Sequence, residues 1–530
     1  MKILFAALHN GYYRNLDSVI AELARRGHEI HLGSERPDSA FGGQPIVDAL
    51  AATHANVTHG RLAVRDPESL FLPARIRFAL DYLRYLDPAY SRSGLRLRAR
   101  ERTPAGMLRL SKFRLLGLRP ARRIVSGALD AIDHAVAPCP AIEQCLDEQR
   151  PDLIVITPLI GLVASSQLDL LRSALRRRIA TVVMVWSWDH LSSKAVMRDV
   201  PDALFVWNEI QKQEAIRLHR FPPARVVVTG AQCYDRWFGR GPSRSRSEFC
   251  RRAGLPDERP FVLWACSALL PGSPPEPTVV MRWAAHLRKS TDPRIRDLPI
   301  LLRPHPSRTV EWAAFDWRSM GNVAMFGPPP TDEAARTDYF ESLYYSSAVV
   351  GITTSAFLEA AVVGRPVMSF FSEDLRQEHE ESLHFRHLMD AEHGLLTMAA
   401  SLDEHEQQLA SILAGPPAEV LARQRRFVNT FVRPRGMDVS ATHVVTDALE
   451  HLGESERVGP GSTPSRFGQM GLAFLTRMQR DHHWRPLILD EREGERETRL
   501  AERDRARAEH LARKRADKAR RMAAKRGASV

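Results

Sequence analysis

Two segments in the second half of the chain carry residue types that can bind and protonate a phosphate. The first is Arg303-Pro304-His305-Pro306, which directly follows the apolar run LPILL. Its two prolines restrict the backbone, so Arg303 and His305 have fixed directions. A guanidinium fork fits phosphate oxygens, and an imidazole can donate a hydrogen bond or a proton to a leaving phosphate. The turn therefore indicates a phosphate site; the alternative is a rigid turn with exposed basic residues.

The second segment follows a predicted buried strand that ends at Gly351. Thr354 and Ser355 stand at the start of a short predicted helix, where hydroxyls and free N–H groups favour an anion. Glu359 lies one turn further on the same face, where it can accept hydrogen bonds from ribose or sugar hydroxyls. The same residues also fit an ordinary helix cap followed by a solvated carboxylate.

A third group of candidates belongs to the first half of the chain. His9 follows the apolar run KILFAAL, at the predicted carboxyl end of a strand, where open parallel sheets bind their ligands. It can take a proton from an acceptor hydroxyl, or it can be a loop histidine bonded to the backbone. The loop SWDHLSSK adds Trp188, Asp189 and Lys194, and Asn208 ends another strand. These four residues are candidates for a cleft, although Asp189 can instead cap a helix and Trp188 can fill the core.

Several common catalytic motifs are absent from the sequence. It contains no H-E-x-x-H, no G-x-x-x-x-G-K-[ST] and no G-x-S-x-G, and no G-x-G-x-x-G follows the first predicted strand. These absences disfavour a metalloprotease, a P-loop ATPase, an α/β-hydrolase and a dinucleotide-binding protein. The five cysteines form no C-x-x-C pair, which argues against a zinc site and a disulfide framework. We therefore predict no metal site.

The elements that must position these residues alternate between strands and helices. Segments whose apolar residues have helical spacing separate short apolar runs, as in parallel βαβ units. Examples of these runs are PDLIVIT, ATVVMVW, PFVLWAC and SAVVGIT. The sequence predicts an α/β protein with two Rossmann-like doubly wound domains. We place the first domain at residues 1–238, a linker at 239–260, the second domain at 261–452, and a linker with a charged helical or disordered tail at 453–530.

Positive charge is concentrated in two segments of a chain whose net charge is +12. Arg75–Arg123 contains fourteen Lys and Arg against three Asp and Glu, and the segment from Glu491 to the end contains fourteen against eight. Leucines and aromatic residues alternate with the arginines of the first segment, which indicates contact with an anionic membrane surface. No apolar stretch approaches the ~20 residues that span a bilayer. The opening MKILFAAL fits a strand better than a signal peptide, so we expect a cytoplasmic protein, peripheral at the inner face of the cell membrane.

Several segments resemble GT-B glycosyltransferases, a superfamily with two Rossmann-like domains that face a cleft. LARRGHEI at 23–30 is similar to their first βα unit, and RPHP and TTSAFLEAAVVGRPV are similar to their donor-binding half. Relatives include CDP-glycerol glycerophosphotransferase-like and UDP-N-acetylglucosamine 2-epimerase-like proteins. SWDHLSSK, VWNEIQKQEA, VTGAQCYDRWF, LHF and FVRPRG more closely resemble bacterial proteins of the surface-polysaccharide type that are described as glycosyltransferases. The resemblance covers residues 1–452.

The resemblance implies a role for each matched donor-site residue. Arg303 and His305 would contact the diphosphate of a nucleotide-sugar donor. Thr354 and Ser355 would bind its phosphates, and Glu359 would hold the ribose or the sugar. The absence of a D-x-D motif favours metal-independent transfer, in which basic side chains and a helix dipole stabilise the leaving diphosphate.

Two histidines complete the implied site. His9 would fall where some GT-B enzymes keep a catalytic base. The glycerophosphotransferase-like relatives use paired histidines, for which His305 and His384 are the candidates. His384 is also a fifth candidate for the cleft.

Three functional hypotheses remain open at this point. The main one is transfer of a sugar, or a related phospho-unit, from a nucleotide donor to a cell-surface glycan or lipid-linked acceptor, with no cofactor. An epimerase of the same fold would act on the nucleotide sugar without an acceptor. An inactive nucleotide-sugar-binding partner of a glycan-synthesis complex is the third. Nucleic acid is not a predicted partner, because aromatic residues are not interleaved with the basic runs as a stacking platform requires.

Overall fold

The computed structural model describes residues 1–37, 43–90, 94–270, 272–330, 332–379, 382–390, 392–455, 464–490 and 492–493. The charged tail that the sequence predicts from Glu491 onwards lies outside the described residues, except for residues 492–493.

Seven parallel strands form the first sheet, in the order β3-β2-β1-β4-β5-β6-β7. The strands are β1 (Lys2–Ala7), β2 (Glu29–Ser34), β3 (Val57–Arg61), β4 (Leu153–Thr157), β5 (Ala180–Met184), β6 (Ala203–Val206) and β7 (Val226–Val228). The strand order reverses between β1 and β4, as in a doubly wound sheet. Every residue of β4, β5 and β6 is buried, which explains why these strands are continuous apolar runs in the sequence.

Six parallel strands form the second sheet, in the order β10-β9-β8-β11-β12-β13. The strands are β8 (Val262–Ala265), β9 (Ile300–Arg303), β10 (Val323–Met325), β11 (Ala348–Val350), β12 (Val367–Phe370) and β13 (Thr397–Ala399). We call the part of the chain that carries β1–β7 the first half and the part that carries β8–β13 the second half. The predicted fold class, two Rossmann-like doubly wound parallel sheets, is confirmed.

Helices connect the strands of both sheets, and within the described residues four further helices follow the last strand. They are α1 (Asp17–Arg25), α2 (Gln44–Thr53), α3 (Pro67–Tyr85), α4 (Gly94–Arg100), α5 (Ala105–Ser111), α6 (Arg119–His134), α7 (Pro140–Gln149), α8 (Gln167–Arg176), α9 (His190–Ser193), α10 (Glu209–His219), α11 (Arg246–Ala253), α12 (Glu276–Leu287), α13 (Pro293–Arg296), α14 (Thr309–Ala313), α15 (Glu333–Tyr345), α16 (Ala356–Val362), α17 (Arg376–His379), α18 (Leu383–Met389), α19 (Leu402–Ala414), α20 (Ala418–Phe427), α21 (Ala441–Glu454) and α22 (Arg466–Arg480).

Helix α21 packs on the first half, although the sequence assigns this segment to the second domain. Val445 and Leu449 are fully buried in the core that covers one face of the first sheet. Arg26, after α1, donates to Asp447 at 2.7 Å and to Glu450 at 2.6 Å. The chain therefore returns to its first half after it completes the second sheet.

The chain forms two compact units, and the smaller one is helical. The larger unit comprises residues 1–70, 89–96 and 137–463 and contains both sheets. The smaller, which we call the helical unit, comprises residues 71–88 and 97–136 and the described residues that follow position 463, namely 464–490 and 492–493. The sequence places the first two of these segments in the first domain and the third in a linker and tail. The structure instead groups them in one unit.

Apolar contacts and buried ion pairs hold the helical unit together. Its core contains Leu72, Ile76 and Leu80 of α3 with Ile132 of α6. Within the unit, Arg75 pairs with Asp490 at 3.0 Å and with Glu493, and Arg77 pairs with Asp133 at 2.9 Å. Among the residues that the structure describes, no helix has both the length and the apolar composition needed to cross a bilayer.

A buried carboxyl supports the second sheet at the start of α12. Glu276 is 2% exposed and accepts hydrogen bonds from the Ser267 N–H at 2.9 and 3.0 Å and from the Trp264 indole at 3.2 Å. Burial raises the pKa of this carboxyl to about 8, because the charged form is poorly solvated there.

We expect Glu276 to make the stability of the protein pH-dependent. Its folded-state pKa lies above its unfolded value, so its stabilising contribution is complete below about pH 4.5 and is lost as the pH rises through about 8. Relative to Glu276→Gln, the wild-type melting temperature should fall on the order of a few degrees between pH 5 and pH 9. If the melting temperatures of the two proteins changed equally between pH 5 and pH 9, the raised pKa of Glu276 would be contradicted.

Candidate functional site

Candidate residues of both halves follow the carboxyl ends of parallel strands. His9 comes two residues after β1, and the loop 187–194 follows β5. In the second half, His305 comes two residues after β9, and Glu359 lies on α16, which follows β11. Open parallel sheets bind their ligands at this edge.

Arg14 connects these candidates, and sequence analysis missed it. It lies in the 3-10 helix Asn10–Asn15 after β1, and its side chain is exposed. Its charge is close enough to affect the pKa values of His9 in the first half and of His305 and Glu359 in the second half. Among the described residues its guanidinium has no hydrogen bond and no ion pair. Arg14 is therefore a cation that an anionic ligand can reach. Such a ligand would lie between Arg14 of the first half and His305 and Glu359 of the second half.

Glu359 carries a carboxyl that titrates near neutral pH. The Tyr339 hydroxyl of α15 donates a hydrogen bond to its Oε2. Burial raises the pKa of Glu359 to about 7, although the hydroxyl of Tyr339 and the charges of Arg14 and Arg236 offset part of the increase. A carboxyl with this pKa can accept a hydrogen bond from a sugar hydroxyl or exchange a proton at neutral pH.

His305 is a neutral hydrogen-bond donor at neutral pH. Its Nδ1 accepts the backbone N–H of Ser307 at 3.2 Å and lies 2.8 Å from the hydroxyl of that residue. Since Nδ1 is an acceptor, the single proton of the neutral ring is on Nε2. Burial, together with the charges of Arg14 and Arg308, lowers the pKa of His305 to about 4. Its Nε2–H can therefore donate to a phosphate oxygen.

Arg303 is hydrogen-bonded inside the second half, and its predicted contact with a phosphate stays a prediction. The side chain is buried, and its two terminal nitrogens donate to the Ser342 hydroxyl at 3.1 Å and to the Pro328 carbonyl at 3.0 Å. The guanidinium also lies over the Tyr339 ring, 5.0 Å from its centroid. Gly327 has a positive φ of 96°, and a Cβ there would overlap the guanidinium. Arg303 thus holds the loop after β10 against α15.

Thr354 and Ser355 differ in their accessibility to a ligand. Thr354 is buried, and its hydroxyl accepts the backbone N–H of Ala356 at 3.3 Å. Ser355 is exposed, and its side chain makes no capping hydrogen bond to α16. Their phosphate-binding roles remain predictions, and of the two hydroxyls only that of Ser355 is exposed to solvent.

His9 is half-buried beside Tyr12, with ring centroids 4.4 Å apart. Burial, together with the charges of Arg14 and Arg36, lowers the pKa of His9 to about 4. The imidazole is therefore unprotonated at neutral pH, as a general base must be, and its catalytic role remains a prediction.

Asp189 organises the loop 187–194. Its carboxylate accepts hydrogen bonds from the Ser187 hydroxyl at 2.5 Å, the Ser193 hydroxyl at 2.6 Å and the Lys194 ammonium at 2.7 Å. Burial alone would raise the pKa of Asp189, but the charges of Lys194 and His384 outweigh this effect and hold the pKa well below its usual range. The carboxylate is therefore ionised and ion-paired at neutral pH.

Trp188 and His384 bring this loop into contact with the second half. Trp188 is buried, and its ring meets the His384 ring edge-on at a centroid distance of 4.8 Å. The structure therefore brings four of the predicted cleft residues together: Trp188, Asp189, Lys194 and His384. The fifth, Asn208, is a helix cap: it accepts the Gln211 N–H at 2.9 Å and donates to the Phe431 carbonyl at 2.8 Å.

Among the described residues, no group of three or more His, Cys, Asp and Glu side chains could hold a metal ion.

No family model matches the sequence, and no curated protein matches it. The chain is similar to a solved glycosyltransferase from Rickettsia africae ESF-5, with 11% identity, a TM-score of 0.48, and coverage of 86% of this chain and 99% of the other. It is also similar to UDP-GlcNAc 2-epimerase from Neisseria meningitidis bound to UDP-GlcNAc, with 11% identity, a TM-score of 0.44, and coverage of 85% and 100%.

A third similar structure is WaaG, a glycosyltransferase involved in lipopolysaccharide biosynthesis, with 12% identity, a TM-score of 0.45, and coverage of 86% of this chain and 100% of the other. TM-scores below 0.5 at this identity transfer no substrate and no residue role to the present chain.

The different environments of Arg303 and Arg14 lead to opposite expectations for their replacement. Arg303→Met leaves two acceptors without their donor inside the second half, so it should destabilise the protein by about 2–4 kcal/mol. Arg14→Met removes an exposed side chain, and stability should change by less than about 0.5 kcal/mol. Chemical denaturation of the wild type and both variants measures these changes in the free energy of unfolding. Equal stabilities of the two variants would contradict the structural role of Arg303.

Proposed function

We propose that the protein is a glycosyltransferase of the GT-B type that uses a nucleotide-sugar donor. It transfers a sugar, or a related phospho-unit, to a cell-surface glycan or lipid-linked acceptor. The observation that supports this proposal best is the proximity of Arg14 to His305 and Glu359. A cation from the first half, a neutral donor and a carboxyl from the second half form a site suited to a diphosphate joined to a sugar.

The donor diphosphate occupies the position between Arg14 and His305. The Arg14 guanidinium offers a planar fork to two phosphate oxygens, and the Nε2–H of His305 donates to a third. Ser355 and Thr354 are proposed to add contacts to the phosphates at the start of α16. These groups stabilise the negative charge that develops on the leaving diphosphate, so no metal ion is required in this mechanism.

Glu359 positions the sugar or the ribose, and His9 receives the acceptor proton. In the transfer step the bond between the anomeric carbon and the phosphate oxygen breaks, and a bond from that carbon to the acceptor oxygen forms. The proton of the acceptor hydroxyl passes to the unprotonated imidazole of His9. Asp189 and Lys194 are proposed to line the acceptor side of the same cleft.

The cysteines agree with a reducing compartment. All five, Cys139, Cys145, Cys233, Cys250 and Cys266, are free thiols in the structure. We propose that the reaction takes place in the cytoplasm.

Binding of a nucleoside diphosphate is the first test of the proposed site. In calorimetry with UDP, GDP, CDP and ADP, at least one should bind, and Arg14→Ala should weaken that binding by about tenfold or more, as expected for a lost charge-assisted hydrogen bond. Arg251→Ala, which removes an exposed arginine of α11, serves as the matched control. No binding of any of the four at millimolar concentration would contradict the donor site.

Transfer activity tests the roles of His305 and Glu359. With radiolabelled nucleotide sugars and a lipid extract as acceptor, His305→Ala and Glu359→Ala should each lower transfer by on the order of a hundredfold, with melting temperatures nearly unchanged. His393→Ala and Glu373→Ala remove more exposed side chains of the same types, at 81% and 83% exposure, and should retain activity. Conversion of the nucleotide sugar without any acceptor would instead show an epimerase.

A further inference from the structure

The helical unit exposes large apolar side chains far more often than the rest of the described chain. Ten of the fourteen exposed large apolar residues belong to it, although the larger unit contains both sheets. Exposed apolar residues that are concentrated in this way mark an interaction surface.

Helix α22 presents three of these side chains along one face. Phe467, Met470 and Phe474 are 59%, 73% and 62% exposed, and spacings of three and four residues align them. The other face of α22 is closely packed on α6. A Cβ on Gly468 would overlap the Ala131 carbonyl, and a Cβ on Gly471 would lie 2.6 Å from the Ile132 side chain. The exposed stripe is therefore the outer face of a helix whose inner face is already buried.

A second group of exposed apolar side chains lies at the start of α6. Phe113, Leu115 and Leu118 are exposed, and Ile124, one turn into α6, is 73% exposed. Most of this group lies in the basic segment Arg75–Arg123, and Ile124 directly follows that segment. The earlier part of that segment behaves differently, because Phe78 and Tyr82 are buried in α3.

Positive charge accompanies both groups. The described residues of the helical unit include seventeen Lys and Arg against eight Asp and Glu. Residues 102–129 contain seven basic residues and no acidic one, and α22 contains three arginines and no acidic residue. Next to the exposed apolar residues, Lys112, Arg123 and Arg477 are exposed as well.

Most of the acidic residues in the unit are already paired inside it. Asp87 pairs with Arg122 at 2.8 Å, and Glu101 pairs with Arg492 at 2.7 Å. Asp133, Asp490 and Glu493 are likewise paired with arginines of α3. The acidic residues are therefore mostly engaged within the unit, whereas the bases beside the apolar side chains are exposed.

We propose that the helical unit binds the surface of an anionic lipid bilayer. The apolar side chains of α22 and of residues 113–124 enter the boundary between headgroups and acyl chains, and the surrounding arginines and lysine meet anionic headgroups. A nucleic acid would pair with the basic residues but would leave Leu115, Leu118 and Met470 in water, so a bilayer fits both features. The binding requires neither a nucleotide nor transfer activity, so it can be tested separately from the proposed function.

Co-sedimentation of the full chain with vesicles tests the proposal. Vesicles of phosphatidylcholine alone are compared with vesicles that also contain 30% phosphatidylglycerol (roughly the anionic fraction that gives a strong surface potential). The protein should sediment with the anionic vesicles, less with the neutral ones, and less again at high salt, because salt screens the headgroup charge. Equal recovery on both vesicles, or no recovery on either, would overturn the proposal.

Two double variants separate the contribution of the apolar side chains to vesicle binding from that of the positive charge. Phe467→Ser combined with Phe474→Ser removes the apolar contribution, and Arg477→Gln combined with Arg480→Gln removes part of the charge. Each pair should lower the apparent partition coefficient on anionic vesicles by about tenfold or more. The matched controls lie outside the helical unit: Val310→Ser, at an apolar residue that is 81% exposed, and Arg251→Gln combined with Arg259→Gln.

Both variant pairs replace exposed residues, so circular dichroism and melting curves should match the wild type. Binding of both pairs at the wild-type level would overturn the proposal. Two other results would assign the surface to a different partner and so contradict the proposal. One is the formation of a concentration-dependent dimer that is lost in the Phe467→Ser and Phe474→Ser double variant. The other is full competition between a 30-base-pair DNA duplex and anionic vesicles at equal charge.

Discussion

Burial of charged groups at the carboxyl edges of the two sheets is the constraint on which the candidate site depends. Parallel strands that are covered on both faces leave only their ends for chemistry, so functional side chains are partly withdrawn from water. This withdrawal raises the pKa of Glu359 to about 7 and lowers the pKa values of His9 and His305 to about 4. At neutral pH the site therefore has two neutral imidazoles, a carboxyl whose pKa is about 7, and the cation of Arg14.

Two arginines, one at the end of β9 and one in the 3-10 helix after β1, have opposite roles for the same physical reason. Arg303 is enclosed, and its donors are matched by acceptors from Ser342 and Pro328, so its charge supports the loop beside the site. Arg14 is exposed, and its charge is available to a ligand. A buried guanidinium must be satisfied within the protein, whereas an exposed one can bind an anion without a large desolvation cost.

The sequence predicts the sheets well because the central strands are buried on both faces and read as continuous apolar runs. It misses β3, whose exposed residues Thr58 and His59 make it polar, and β13, which is a three-residue edge strand. The helical unit was also missed, because α22 packs on α6 across more than 300 residues of sequence. The amphipathic pattern around Phe467–Met478 is visible locally, but its partner is not.

Of the site residues, His305 and Glu359 could be found from their motifs. Arg14 could not, since it belongs to no motif and its importance appears only when the two halves are brought together.

The central claim is that Arg14, His305 and Glu359 form one site for a diphosphate. The most direct measurement is the pH dependence of nucleotide-sugar binding, since a diphosphate diester does not titrate near neutrality. Protonation of Glu359 removes a negative charge beside the diphosphate, so binding by the wild type should tighten severalfold as the pH falls from 8 to 6. Binding by Glu359→Gln should not change over this range. An identical pH dependence in both proteins would contradict the claim.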